Sequence, residues 1–170
     1  MSTEVQDWLS QKLVNTQLDD GVTYTSIANF CVMWALFEGT ELSDADSAVD
    51  ELAYVACRLV QRGIDVTEPL DFWSNRYIDS EKTNGPFDKL GFSHVPHINL
   101  VADVLIGNQT DPVKIVHAIL LIVYRLRNNL FHGNKDITRI HNQVTNLDMA
   151  SKTLMNVASV SGRYVFLNNA

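Results

Sequence analysis

Asp111-Pro112-Val113-Lys114-Ile115-Val116-His117-Ala118-Ile119-Leu120-Leu121-Ile122-Val123-Tyr124 decides the fold. Asp111 reads as an N-cap and Pro112 as the first helical residue, a position where a missing N–H costs nothing. The apolar run from Ile115 to Tyr124, broken by His117, makes this the main helix of the chain, and it is too short to span a bilayer. Arg125-Leu126-Arg127-Asn128-Asn129-Leu130-Phe131-His132 carries the helix to its end, and Gly133-Asn134 breaks it.

The sequence on either side fits an all-α chain. Val5, Trp8, Leu9 and Leu13 lie at helical spacing after Ser2-Thr3, with an end expected near Asp19-Asp20-Gly21. From about Thr25 to Gly39, Ile27, Phe30, Cys31, Trp34, Leu36 and Phe37 cover most of a helix circumference, as in an element packed on several sides. Ser43-Asp44-Ala45-Asp46 caps a third helix with a stripe of Ala45, Val49, Leu52, Ala56, Leu59 and Val60, closed by Gly63. Pro96 opens a short helix that places Ile98, Val101, Val104 and Leu105 inward and stops at Gly107-Asn108. A last long helix is expected from near Asp136, with Ile137, Ile140, Val144, Leu147 and Leu154 along its seam. Tyr164-Val165-Phe166-Leu167 suggests a lone strand.

Residues 64–96 are less regular. Pro69 could start a short helix bearing Leu70, Trp73, Tyr77 and Ile78, and Asn84-Gly85-Pro86 and Gly91 mark turns, so the segment reads as an insertion or lid. The expectation is a single domain over 1–170, an up-and-down helical bundle with a mid-chain excursion. Its 170 residues are 46% apolar, with no Gly/Ser linker or internal repeat. The start lacks the basic and apolar pattern of a signal peptide, which points to a cytoplasmic protein without a membrane anchor. Cys31 and Cys57 fall in helical patterns and are expected as reduced, buried thiols.

The net charge of −7 argues against general nucleic-acid affinity, but it hides a split. Residues 1–111 carry 18 acidic and 6 basic side chains, a net −12. Residues 112–170 carry 2 acidic and 7 basic ones, a net +5. Arg125, Arg127, Lys135 and Arg139 supply a local field that would attract phosphates, or would pair with the acidic remainder of the fold.

Within that basic part, Arg127 precedes His132 by five residues, and none of the other six Arg has a His at that spacing. Tyr124 to Gly133 resembles the Arg-polar-x3-His signature of HEPN domains, small all-helical proteins that include many metal-independent ribonucleases. The likeness is clearest over about residues 111–135 and extends more loosely to Phe30-Cys31-Val32-Met33-Trp34-Ala35-Leu36-Phe37-Glu38. It implies a homodimer with a composite site across the interface, and an RNA-cutting role in a toxin pair or in phage defence, with an antitoxin or regulatory partner. HEPN domains that have lost activity serve as dimerisation, nucleotide-binding or partner-binding modules, the second reading. Some HEPN toxins carry a Tyr two residues beyond the His, where a partner modifies them; this chain has Asn134.

The chemistry follows from the residue types. Five helical residues turn about 500°, so Arg127 and His132 point about 140° apart and meet only if the helix breaks or the site is shared. Asn128 and His132, four apart, share a face, so Asn128 can support the imidazole. An imidazole with an ordinary pKa of about 6.5 exchanges protons near neutrality. A guanidinium binds two phosphate oxygens and stays charged. Catalytic Arg127, His132 and Asn128 with substrate-binding Arg125, Lys135 and Arg139 would cleave RNA through its 2′-hydroxyl, without metal or cofactor. The same string also suits a helix C-terminus, where cations and Asn amides satisfy loose carbonyls.

The remaining candidates have plainer readings. His94-Val95-Pro96-His97 lacks the Cys or carboxylate neighbours of a metal site. His117 reads as a hydrogen-bonded core residue, while His141 and Glu38 could reach the motif, Glu38 by ordering Arg127. Trp73, Tyr77 and Phe87 could stack nucleobases, although such rings are more often buried. Phosphate-loop, serine-hydrolase and Cys-x2-Cys motifs are absent from the sequence.

Overall fold

The computed structural model describes residues 4–12, 21–43, 48–131 and 137–163. They form an all-α bundle: α1 (Glu4–Lys12), α2 (Gly21–Glu41), α3 (Ala48–Gln61), α4 (Thr67–Tyr77), α5 (Gly85–Asp88), α6 (Val95–Ile106), α7 (Pro112–Phe131) and α8 (Val144–Ser161). No helix among the described residues is long and apolar enough to cross a membrane.

α7 is the axis of the bundle. Asp111 Oδ1 accepts from the Lys114 amide at 3.0 Å, which caps the helix as its sequence requires. Val116, Leu126 and the whole stretch Ala118–Val123 are buried, because α3 packs along one side of α7 and α6 along another. α3 contributes Leu52, Val55, Ala56 and Leu59, and it ends as expected at Gly63. With φ at +76°, that glycine donates to Val60 O at 3.0 Å while Ile64 N reaches Leu59 O at 3.1 Å, a closure that a Cβ would strain. Its expected cap at 44–46 lies outside the described residues, but Ser43 donates through both N and Oγ to the Glu51 carboxylate.

α2 is longer than its sequence suggested and sets Phe30, Trp34 and Phe37 into the core against α8. The last long helix needs a correction at its start. Ile137–Gln143 is a 3-10 segment, and the α-helix begins at Val144. Turns of the tighter 3-10 type are frequent at the N-termini of α-helices, where the first amides have no partner within the helix. Ile140, Leu147 and Leu154 are buried, as the seam required.

Residues 64–96 are built into the bundle and form one of its walls. Trp73, Tyr77, Phe87 and Leu90 are all buried. Trp73 stacks on Tyr77 at 5.6 Å, and Tyr77 meets Phe87 edge-on at 6.2 Å. The rings expected as base-stacking candidates are thus consumed by packing. Between α4 and α5 a two-residue hairpin pairs Ile78–Asp79 with Lys82–Thr83, turning through Ser80 and Glu81, both at positive φ. The cysteines also depart from expectation: Cys57 is exposed and Cys31 half-buried, both as free thiols. α1 leaves Val5 and Trp8 exposed. Its expected end near 19–21, and the strand at 164–167, lie outside the described residues apart from Gly21, which already belongs to α2.

One charged group joins the ends of three elements. Glu41, its side chain 1% exposed, pairs with Arg58 of α3 at 2.8 Å and with Arg163 beyond α8 at 3.6 Å. Arg163 also donates to the Thr40 carbonyl, so cations meet α2 where its dipole is negative. Replacing Arg58 by Ala leaves the buried carboxylate with its longer contact alone. The expected loss is about 3 kcal/mol in urea unfolding, against about 1 kcal/mol for an exposed pair.

Candidate functional site

The last two turns of α7 send three polar side chains in different directions. Arg125 points into the bundle: its Nε donates to Leu90 O at 3.0 Å and its Cζ lies 5.9 Å from the Phe92 ring. Burial pushes its pKa down from the ordinary arginine value, but a guanidinium starts so high that it stays charged. Asn129 is buried and donates from Nδ2 to the carbonyls of Leu90 and Lys89 at 3.2 and 3.3 Å. Together they tie the loop before α6 to α7.

Arg127 lies about 200° around the helix from Arg125 and faces α2. Its Nη2 is 3.5 Å from Glu38 Oε1, and its Nη1 donates to Asn128 Oδ1 at 3.1 Å. The Cζ sits 5.7 Å from the Trp34 ring and 5.5 Å from that of Phe131. About a quarter of this side chain stays exposed, 24%, so a fixed cation is presented at the surface. Glu38 therefore contacts Arg127, as its sequence reading allowed. Asn128, expected to support His132, gives its amide oxygen to Arg127.

His132 and Lys135 lie outside the described residues, as does the side chain of Arg139. The structure brings Arg127, Asn128 and Glu38 together and sends Arg125 elsewhere. His141 sits in the 3-10 segment with its Nδ1 buried and unbonded among the described residues.

Arg125 and Asn128 instead border a cleft of about 330 Å³ between α3, α6 and α7. Asp50, Phe92, His94 and His97 line it too, and Asn128 lies between the cleft and Arg127. His94 and His97 meet edge to face at 4.5 Å, and His97 is 6.2 Å from His117 behind it. His117 was expected to be hydrogen-bonded in the core. It is half-buried, and its Nε2 has no partner among the described residues. No local signal could have assembled this group, because about thirty residues separate His94 from Arg125. Among the described residues no three His, Cys, Asp or Glu side chains are arranged to hold a metal ion.

No family model, curated protein or solved structure matches the chain.

The two inner imidazoles should add to the acid sensitivity of the bundle. Burial, then the charge of His97, pushes the His117 pKa down. Burial and His94 push down that of His97, against an opposing pull from Asp50. Each takes up its proton more readily in the unfolded chain, so what these two neutral rings contribute to stability is full above the ordinary histidine value of about 6.5 and falls as pH drops below it. Thermal unfolding at pH 7 and pH 5 should show a lower Tm at pH 5. That difference should shrink in His117→Gln.

Proposed function

We propose that this chain is a metal-independent endoribonuclease of the HEPN type, acting in the cytoplasm as a homodimer whose composite site draws Arg127 and His132 from each subunit. The observation that carries the reading is the Arg127 guanidinium, clamped by Glu38, Asn128 and two aromatic rings yet open on one side. A cation fixed before substrate arrives stabilises a developing phosphorane without reorganising. The all-helical bundle and the basic character of the chain after residue 111 support the same reading.

In the proposed step the ribose 2′-oxygen attacks the adjacent phosphorus as its proton passes to a neutral imidazole of His132. The bond from phosphorus to the 5′-oxygen breaks, and a protonated imidazole returns a proton to that leaving oxygen. Products are a 2′,3′-cyclic phosphate and a 5′-hydroxyl. Arg127 holds the phosphorane oxygens and Asn128 keeps Arg127 in place, while Lys135 and Arg139 attract the strand. A toxin or phage-defence role, restrained by an antitoxin or regulatory protein, suits such an activity.

A second reading, a non-catalytic module for dimerisation or for binding a nucleotide or partner protein, draws on the fact that Arg127 already has protein partners. End-labelled single-stranded RNA incubated in EDTA distinguishes the two. Cyclic-phosphate ends from the wild type, lost in folded His132→Ala, support the nuclease; intact RNA with a folded wild-type dimer supports the module.

A further inference from the structure

A second cavity, of about 170 Å³, is bordered by α4, α5, α7 and the first turn of α8. Two cations line it, Arg76 near the end of α4 and Lys89 just past α5, and among the described residues neither has a carboxylate partner. No acidic side chain of the described residues lines it either. Two polar atoms of its lining residues are buried without a hydrogen-bond partner among the described residues, Nε of Arg76 and Oδ1 of Asn146. Asn146 is 3% exposed, and its Nδ2 donates to Gln143 Oε1 at 2.9 Å, so the amide is held with its oxygen free. A donor and an acceptor kept from water without partners cost free energy, and a ligand that supplies both partners offsets that cost. Pro86, Leu90 and Leu126 give the same cavity an apolar wall.

We infer that this cavity binds a small hydroxylated carboxylate of the 2-hydroxy acid class, its carboxylate on Arg76 and Lys89 and its hydroxyl donating to Asn146 Oδ1. The uncompensated cations call for an anion, and a planar guanidinium matches a carboxylate in shape as well as charge. Asn146 Oδ1 calls for a donor, and a hydroxyl supplies one where an ammonium would be repelled by the two cations. The apolar wall calls for a carbon skeleton, which sets the ligand apart from inorganic phosphate. The volume is well under the ~300 Å³ at which ordinary ligand pockets begin, room for about six non-hydrogen atoms and too little for a nucleotide. None of the described residues assigned to RNA cleavage lines this cavity, so the inference stands independently of the nuclease reading.

The test is an NMR titration of the folded full chain with L-lactate, propionate, lactamide and inorganic phosphate, in wild type, Arg76→Gln and Lys89→Gln. L-Lactate should shift the Arg76 Nε–H and the Asn146 side-chain amide in a saturable way at millimolar concentration. Propionate lacks the hydroxyl and lactamide the charge, so each should bind about tenfold more weakly, the loss of about one good contact. Arg76→Gln should weaken lactate binding about tenfold or more, and Lys89→Gln a few-fold, the latter effect shrinking as salt rises. Lys89 is exposed, so its replacement spares the fold and decides alone if Arg76→Gln does not fold. Four results would each overturn the inference: no saturable shift with lactate at tens of millimolar, propionate or lactamide binding as well as lactate, phosphate binding more tightly, or binding indifferent to the substitutions. RNA cleavage is not read in this experiment, so its absence elsewhere leaves the result intact.

Discussion

Arg127→Ala is expected to cut metal-independent RNA cleavage by about 100- to 1,000-fold while the chain stays folded. That range is typical of deleting a preorganised donor to a transition-state anion. The structural cost should be small, because the Arg127–Glu38 contact is 3.5 Å long and both side chains are about a quarter exposed. A circular dichroism melt within a few degrees of wild type would separate the catalytic from the structural effect. Arg127→Lys refines the test: it restores charge without the two-pronged fork, so it should recover little of the lost rate. Glu38→Gln keeps the shape of the clamp without its charge and should fall between wild type and Arg127→Ala. Cleavage by folded Arg127→Ala at the wild-type rate would end the nuclease proposal at this residue.

The second large effect concerns stability. Trp73→Ala should cost about 3–5 kcal/mol, the usual range for a large core aromatic, and lower the Tm by on the order of 10 °C. Trp73 is fully buried, stacked on Tyr77 and edge-on to Phe72 at 4.6 Å. Its indole N–H has no partner among the described residues, so packing accounts for what is lost. Urea unfolding followed by far-UV dichroism would measure it. A loss under about 1 kcal/mol would mean that α4 and α5 form a loose cover rather than a wall.

The helices were legible where a start or stop signal stood beside a long apolar pattern. Asp111-Pro112 set the beginning of α7, and Gly63 and Gly107 marked the ends of α3 and α6, each at positive φ. Residues 64–96 were harder because each element there is too short to establish a period, and only the third dimension shows Trp73, Tyr77 and Phe87 to be one stack. Glu41 was illegible for a different reason: a glutamate near a helix end normally faces water, and nothing local reveals that Arg58 and Arg163 converge on it. At the candidate site the sequence pointed to Arg127, Asn128 and Glu38, which the fold assembles. It also grouped Arg125 with Arg127, although two helical residues turn about 200° and put them on opposite sides. The His94–His97–Arg125 cleft stayed hidden because its parts come from distant turns of chain.

The pairing of α2 with α8 has a consequence for how the molecule is made. About a hundred residues separate the two helices, so Phe30, Trp34 and Phe37 leave the ribosome long before the helix that covers them. At a synthesis rate of about 5–20 residues per second, that interval lasts many seconds. During it an almost uncharged helix is exposed to solvent and to other nascent chains, while α3, α6 and α7 can already associate. Chaperone occupancy along the growing polypeptide should therefore concentrate on the α2 segment and end when α8 emerges.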